Sequence, residues 1–247
     1  MNLSCFQNYY CYLILAVASQ CYAAPFEIKV HDELIADYGQ SAYEIETNLY
    51  QAPASSKLPS NIFQTRLEYG YGITKNSEIG VNIYLSNYDG TNYVNGGKIS
   101  HMYIPTHDEA GIWHYGIKNE INYIRDIDGT QTTFYELTPI IAAQLKDWRI
   151  TINPSVDATL ERNSAVTFSP SAKIAYDVKH TLAIGVEYYS DNLPMRNVSA
   201  LSPQPNTAYL VFDVKHGKSS FNIGLGKGLN SDADNWVMKF IASLNFD

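Results

Sequence analysis

Beyond residue 21 the chain of 247 residues contains no cysteine; Cys5, Cys11 and Cys21 all lie in the opening segment. A disulfide framework and a thiolate metal site are therefore excluded for the rest of the chain. Long apolar runs are also missing after that segment, and mean hydropathy is only -0.21. Spanning by apolar helices, which need about 20 consecutive apolar residues each, is excluded. Cations are scarce: 17 Lys and Arg stand against 25 Asp and Glu, for a net charge of -8. That balance argues against nucleic acid as a partner.

The first 25 residues hold no Lys, Arg, Asp or Glu, so the whole charge falls on the remainder of the chain. Tyr12 to Ala18 make a short apolar core, with Ala23 and Ala24 just before Pro25. This reads as a signal peptide over 1–24, cut near Ala23 or Ala24, although its leading residues lack the usual basic group. A membrane anchor would need a longer run, and lipidation at Cys21 would want a smaller residue than Gln20 before it.

What is abundant is alternation. Trp148, Ile150, Ile152, Pro154, Val156, Ala158 and Leu160 interleave with Arg149, Thr151, Asn153, Ser155, Asp157 and Thr159. Apolar groups on one face and ions on the other fit a lipid-facing wall around a wet lumen. The expected fold is therefore all-β, a transmembrane antiparallel up-and-down barrel over 43–247. The 20 Tyr and 3 Trp suit girdles at two membrane interfaces. Strands are expected at 43–50, 62–73, 77–87, 97–104, 111–124, 132–145, 147–161, 165–179, 181–190, 207–215, 219–229 and 235–246. Short connections at Thr74–Asn76, Lys146–Asp147, Lys179–His180 and His216–Lys218 belong at one rim. Longer ones at 51–61, 88–96, 125–131, 191–206 and 230–234 belong at the other. The weak segment Lys98–Ile104 must be a strand, with a turn after it over 106–110, or the rims would not alternate. The count is then about twelve, with both termini in the periplasm. Trp236, Met238, Phe240, Ala242, Leu244 and Phe246 form a terminal strand of the kind the barrel-assembly machinery recognises, although Asp247 comes after the aromatic. Residues 25–42 lie outside the barrel pattern and are expected to form a periplasmic extension or a plug. A secreted β-sandwich is the rival fold, but its strands would be shorter.

The order FEIKVHDELIADYGQSAYEIETNLY, then YGIKNEINY at 115–123, then paired strands around Lys146 and Lys179, resembles a bacterial group. These are the outer-membrane barrels similar to a protein of the phenol meta-cleavage pathway, the MetA-like group. The resemblance implies a channel for small, often hydrophobic compounds and carries no individual site residue.

The polar face puts Glu44, Glu46, Arg66, Glu68, Lys118, Glu120, Glu136, Arg149, Asp157, Lys173, Asp177, Glu187, Asp213 and Lys239 in the lumen. These ions, with Asn153, line either a cation-favouring channel or a filling of salt bridges that leaves no pore. Pro139, Pro154 and Pro170 fall on the lipid face of consecutive strands. With the turn at Lys146–Asp147, facing residues have numbers summing to 293, so Pro139 opposes Pro154 and Pro170 lies next in the row. Proline donates nothing to a ladder, so this row is a candidate lateral opening, with Thr138, Asn153, Ser155, Ser169 and Ser171 available to compensate. His101, His107 and His114 have no standard metal-ligand spacing, and no metal or other cofactor is expected. No nucleophile stands beside a base: Ser164 has no histidine near it, and Asp213 with His216 sits at the wrong rim for a surface enzyme.

The expected function is passive passage of a small, hydrophobic or aromatic solute across the bacterial outer membrane. A structural or surface-interaction barrel without transport is the alternative, and an outer-membrane hydrolase the third reading. The expected partners are outer-membrane lipid and lipopolysaccharide, the assembly machinery and the solute, with a monomer as the expected state.

Overall fold

The computed structural model describes residues 26–52, 61–105, 111–126, 129–161, 166–191, 193–194 and 205–246. The signal-peptide expectation, the 106–110 turn, His107, Ser164 and Asp247 fall outside those residues.

Alternating side chains and β-branched or aromatic residues produce strands throughout. They are β1 (Ser41–Gln51), β2 (Asn61–Thr74), β3 (Ser77–Tyr88), β4 (Thr91–Tyr103), β5 (Trp113–Arg125) and β6 (Gln131–Leu145). Next come β7 (Trp148–Thr159), β8 (Val166–Lys179), β9 (Leu182–Ser190), β10 (Leu193–Pro194), β11 (Asn206–His216), β12 (Ser219–Gly228) and β13 (Trp236–Phe246). Each strand pairs antiparallel with its chain neighbours, except that the two-residue β10 lies on β8 and β9 passes directly to β11. Pairing of β1 with β13 closes the sheet, from Ser41 opposite Phe246 to Gln51 opposite Trp236. The result is a closed barrel of twelve long strands, of the kind the alternation predicts.

One expected connection is different. Residues 88–96 are not a loop: β3 turns directly into β4 through Asp89 and Gly90, both with positive φ (51° and 74°). That pair makes the type of two-residue turn whose twist matches the strands. The alternation is broken because β4 carries a bulge, Tyr84 pairing with Gly96 and Leu85 with Val94, so Asn95 is the extra residue.

Outside, large apolar groups face the surroundings. Tyr43, Tyr69, Tyr103, Trp113, Tyr115, Trp148 and Tyr176 ring the short-turn rim, and Phe63, Tyr93, Tyr123, Tyr188 and Trp236 ring the long-loop rim. Between them lie Ile83, Ile99, Ile121, Ile152, Val186, Leu210 and Ile223. Two aromatic girdles around an aliphatic band are what a bilayer selects. Ile99→Arg, in the middle of that band, should therefore cost about 2–4 kcal/mol, and Leu229→Arg beyond the girdle about 0–1 kcal/mol. Denaturant unfolding of the refolded protein in lipid vesicles measures both.

Candidate functional site

The interior is occupied by the chain's own N-terminal segment. At the short-turn rim the Gly39 amide donates to the Gly72 carbonyl (2.8 Å), and the Gly72 amide donates to Gln40 (3.1 Å). A Cβ on Gly72 would meet the Asp37 carbonyl at 2.1 Å, so only glycine permits this approach. From there residues 26–40 run up the lumen to Phe26, which stacks on Tyr84 with centroids 4.9 Å apart. This segment has no ladder of its own, and wall side chains accept from its amides instead. Glu46 takes Ile28 (2.5 Å), Asn153 takes His31 (2.7 Å) and Glu78 takes Ala36 (2.6 Å). Buried amides require such partners.

Charge binds segment to wall. Arg66, 1% exposed, is the centre. Its guanidinium reaches Glu44 (2.5 Å), Glu46 (2.9 Å) and Glu27 of the segment (3.2 Å), and pairs closely with Glu68. Lys98 pairs with Glu27 and with Glu120 (2.6 Å), while Lys118 pairs with Glu120 (2.8 Å) and lies 3.2 Å from His31 Nε2. Lys29 pairs with Glu44 at 2.8 Å. A second group joins β7, β8, β9, β11 and β13. Arg149 reaches Asp177 (3.1 Å) and Asp213 (3.6 Å), and Lys173 reaches Asp213 (2.8 Å) and Glu187 (3.2 Å). Lys239 pairs with Glu187 and donates to the Ile28 carbonyl (2.9 Å), again tying wall to segment. Glu136 and Asp157 face each other in register without a cation at pairing distance among the described residues. Hydroxyls serve them instead, Thr138 on Glu136 (3.0 Å) and Ser169 on Asp157 (2.8 Å).

All the ions assigned to the lumen from sequence, and Asn153, thus point inward. Five further groups escape a reading by periodicity. Glu27, Lys29 and His31 belong to a segment without a period. Lys98 stands just past the bulge that hides the phase of β4, and Glu78 sits at the edge of a turn. Pro139, Pro154 and Pro170 face outward, and Pro154 pairs with Pro170 in register. His101 faces outward and His114 inward, so they cannot share a ligand shell. Asp213, weighed as half of an enzyme pair with His216, is engaged by Lys173 and Arg149.

Above the charged layers the inner wall turns apolar: Tyr50, Ile62, Tyr209, Val211 and Val237 form one cluster, and Phe26, Tyr84, Ile124 and Phe134 another. Among them and towards the short-turn rim, a cavity of about 200 Å³ remains between the segment and the wall, lined by Lys29, Asp32, Arg149, Asp213, Asn222 and Ser243 among others. Removing one partner of a buried ion network strands the others. Arg66→Met should therefore cost about 3–5 kcal/mol of stability, read by denaturant unfolding. The exposed Lys215→Met should stay within about 0.5 kcal/mol.

No family model and no curated protein matches the sequence. Solved structures do resemble the fold. An outer-membrane channel from Pseudomonas putida F1 superposes with a TM-score of 0.65 at 13% identity, covering 89% of this chain and 100% of that one. The KdgM porin gives 0.57 at 8% identity, covering 83% and 99%, and the NanC porin 0.55 at 11% identity, covering 83% and 99%. The fold that this chain shares with that outer-membrane channel and those porins is the closed twelve-stranded antiparallel β-barrel. These comparisons lend no sequence-level support to the phenol meta-pathway resemblance.

Proposed function

We propose that the protein is a channel of the bacterial outer membrane, its short-turn rim and both termini in the periplasm, with residues 26–40 as a plug that restricts passage. Its solute is small and hydrophobic or aromatic. The observation that carries this reading is the layering of the interior. A packed apolar, aromatic layer lies on the long-loop side, a charged belt clamps the plug, and a cavity of about 200 Å³ lies towards the short-turn rim. Aromatic rings such as Tyr50, Tyr84 and Tyr209, packed in that layer, would offer an apolar solute a place to leave water once the layer parts. Leakage of ions is opposed because the belt is compensated by its own counter-charges. Lipid and lipopolysaccharide surround the aliphatic band, and the barrel-assembly machinery inserts the chain as a monomer.

A second reading has its own observation. Arg66 is satisfied by four carboxylates, and a lumen whose inward cations are so fully paired suits a structural barrel without transport. Single-channel recording separates the two. A side chain at Gly72 overpacks the plug's anchor by about 1–3 kcal/mol, shifting the docked-to-undocked ratio by roughly 5- to 150-fold. Gly72→Val should convert a nearly silent barrel into one with frequent discrete openings, while its heat-modifiable mobility on gels shows that it remains folded. A folded variant as silent as the parent would favour the structural barrel.

A further inference from the structure

The ladder between β6 and β7 runs from Phe134 opposite Thr159 to Leu137 opposite Val156, and resumes at Ile141 opposite Ile152. It is interrupted across Thr138–Ile140 and Asn153–Ser155. The reason is chemical. The Pro139 carbonyl lies 3.5 Å from the Asn153 Nδ2 of β7, so the hydrogen-bonding edge of Pro139 faces β7. At a hydrogen-bonded position of an antiparallel pair the two opposed residues exchange both of their N–H···O bonds. Here both residues, Pro139 and Pro154, lack the N–H, so both bonds are missing at one place. Pro170 then turns its own edge towards β9, and the β8–β9 ladder stops one residue short of it, at Ser171 opposite Tyr189. In hydrocarbon such an interruption needs a substitute.

The plug supplies it from inside. Asn153, 1% exposed, accepts from the His31 amide (2.7 Å) and donates to the His31 carbonyl (2.9 Å). Ile35 packs against the cluster of Met102, Ile104 and Ile140, the last an inward residue of the gap. Thr138 and Ser155 bridge the two strands through their hydroxyls at 2.8 Å. We propose that the β6–β7 seam is a lateral exit from lumen to bilayer for an apolar solute, kept shut by the plug through Asn153 and Ile35. Undocking of the plug and opening of the seam are then one event. This deepens the channel reading and rests on it: a solute that enters through the aromatic layer leaves sideways into lipid, while polar solutes pass along the lumen.

The test uses the full chain, expressed in intact Gram-negative cells and refolded in vesicles. Uptake of N-phenyl-1-naphthylamine, which lipopolysaccharide excludes, reads the apolar route; vesicle swelling with a pentose reads the straight route. Asn153→Leu and Ile35→Ser uncover the seam, and Pro139→Val with Pro154→Val restores its donors. Heat-modifiable mobility confirms folding of each. The expected result is a rise of at least about tenfold in naphthylamine uptake for Asn153→Leu, the factor that loss of two neutral hydrogen bonds gives, and a smaller rise for Ile35→Ser. Adding the two valines should abolish that uptake and leave pentose swelling unchanged. Naphthylamine uptake insensitive to the valines overturns the lateral exit and leaves a channel with one straight path. Absence of both fluxes from every folded variant overturns the exit and the channel reading together.

Discussion

A single guanidinium organises the interior. Arg66 on β2 stands among Glu44, Glu46 and Glu68 of the wall and Glu27 of the plug, in space shielded from water. A buried charge is tolerable only when its counter-charges are held in place, and those counter-charges are equally dependent on it. One of the four, Glu27, belongs to residues 26–40, and it joins three carboxylates that the wall already supplies to Arg66. Lys98 on β4 and Lys118 on β5 depend on the segment more directly: on the wall they share Glu120, and Glu27 is the second carboxylate that both reach. Docking of the plug is thus part of the electrostatics of the barrel.

The opposite constraint acts from outside. Lipid accepts no open polar backbone, so the sheet must close on itself, and it does, through β1 and β13. The one interruption of the β6–β7 ladder lies where two prolines oppose each other, and there the plug replaces the missing wall contacts. Inner and outer constraints therefore meet at the same segment.

Periodicity decides how much of this is legible in the sequence. Strands whose side chains alternate cleanly, such as β2 and β7, reveal their faces directly, and with them Arg66, Glu68, Arg149 and Asn153. The proline row emerges from the same register once the Lys146–Asp147 turn is fixed. Where the period slips, the reading fails. The extra residue Asn95 hides the outer half of β4 and the inward Lys98, making a strand look like a loop. The plug can be set apart only by its lack of a period. Nothing local in FEIKVHDELIADYGQ tells which wall group takes each amide, since those partners come from Glu46, Glu78 and Asn153, far away in the chain. Glycines at 70, 72 and 80 on inward positions are a signal that the wall makes room for something.

The central claim is that residues 26–40 form part of the folded barrel and do not hang below it. Hydrogen exchange of the Ile28, His31 and Ala36 amides in the refolded, lipid-embedded protein tests it most directly. Docking predicts protection of all three comparable with amides of the β1–β13 ladder. Exchange of these amides at the rates of an unstructured peptide, with the strands still protected, would contradict it.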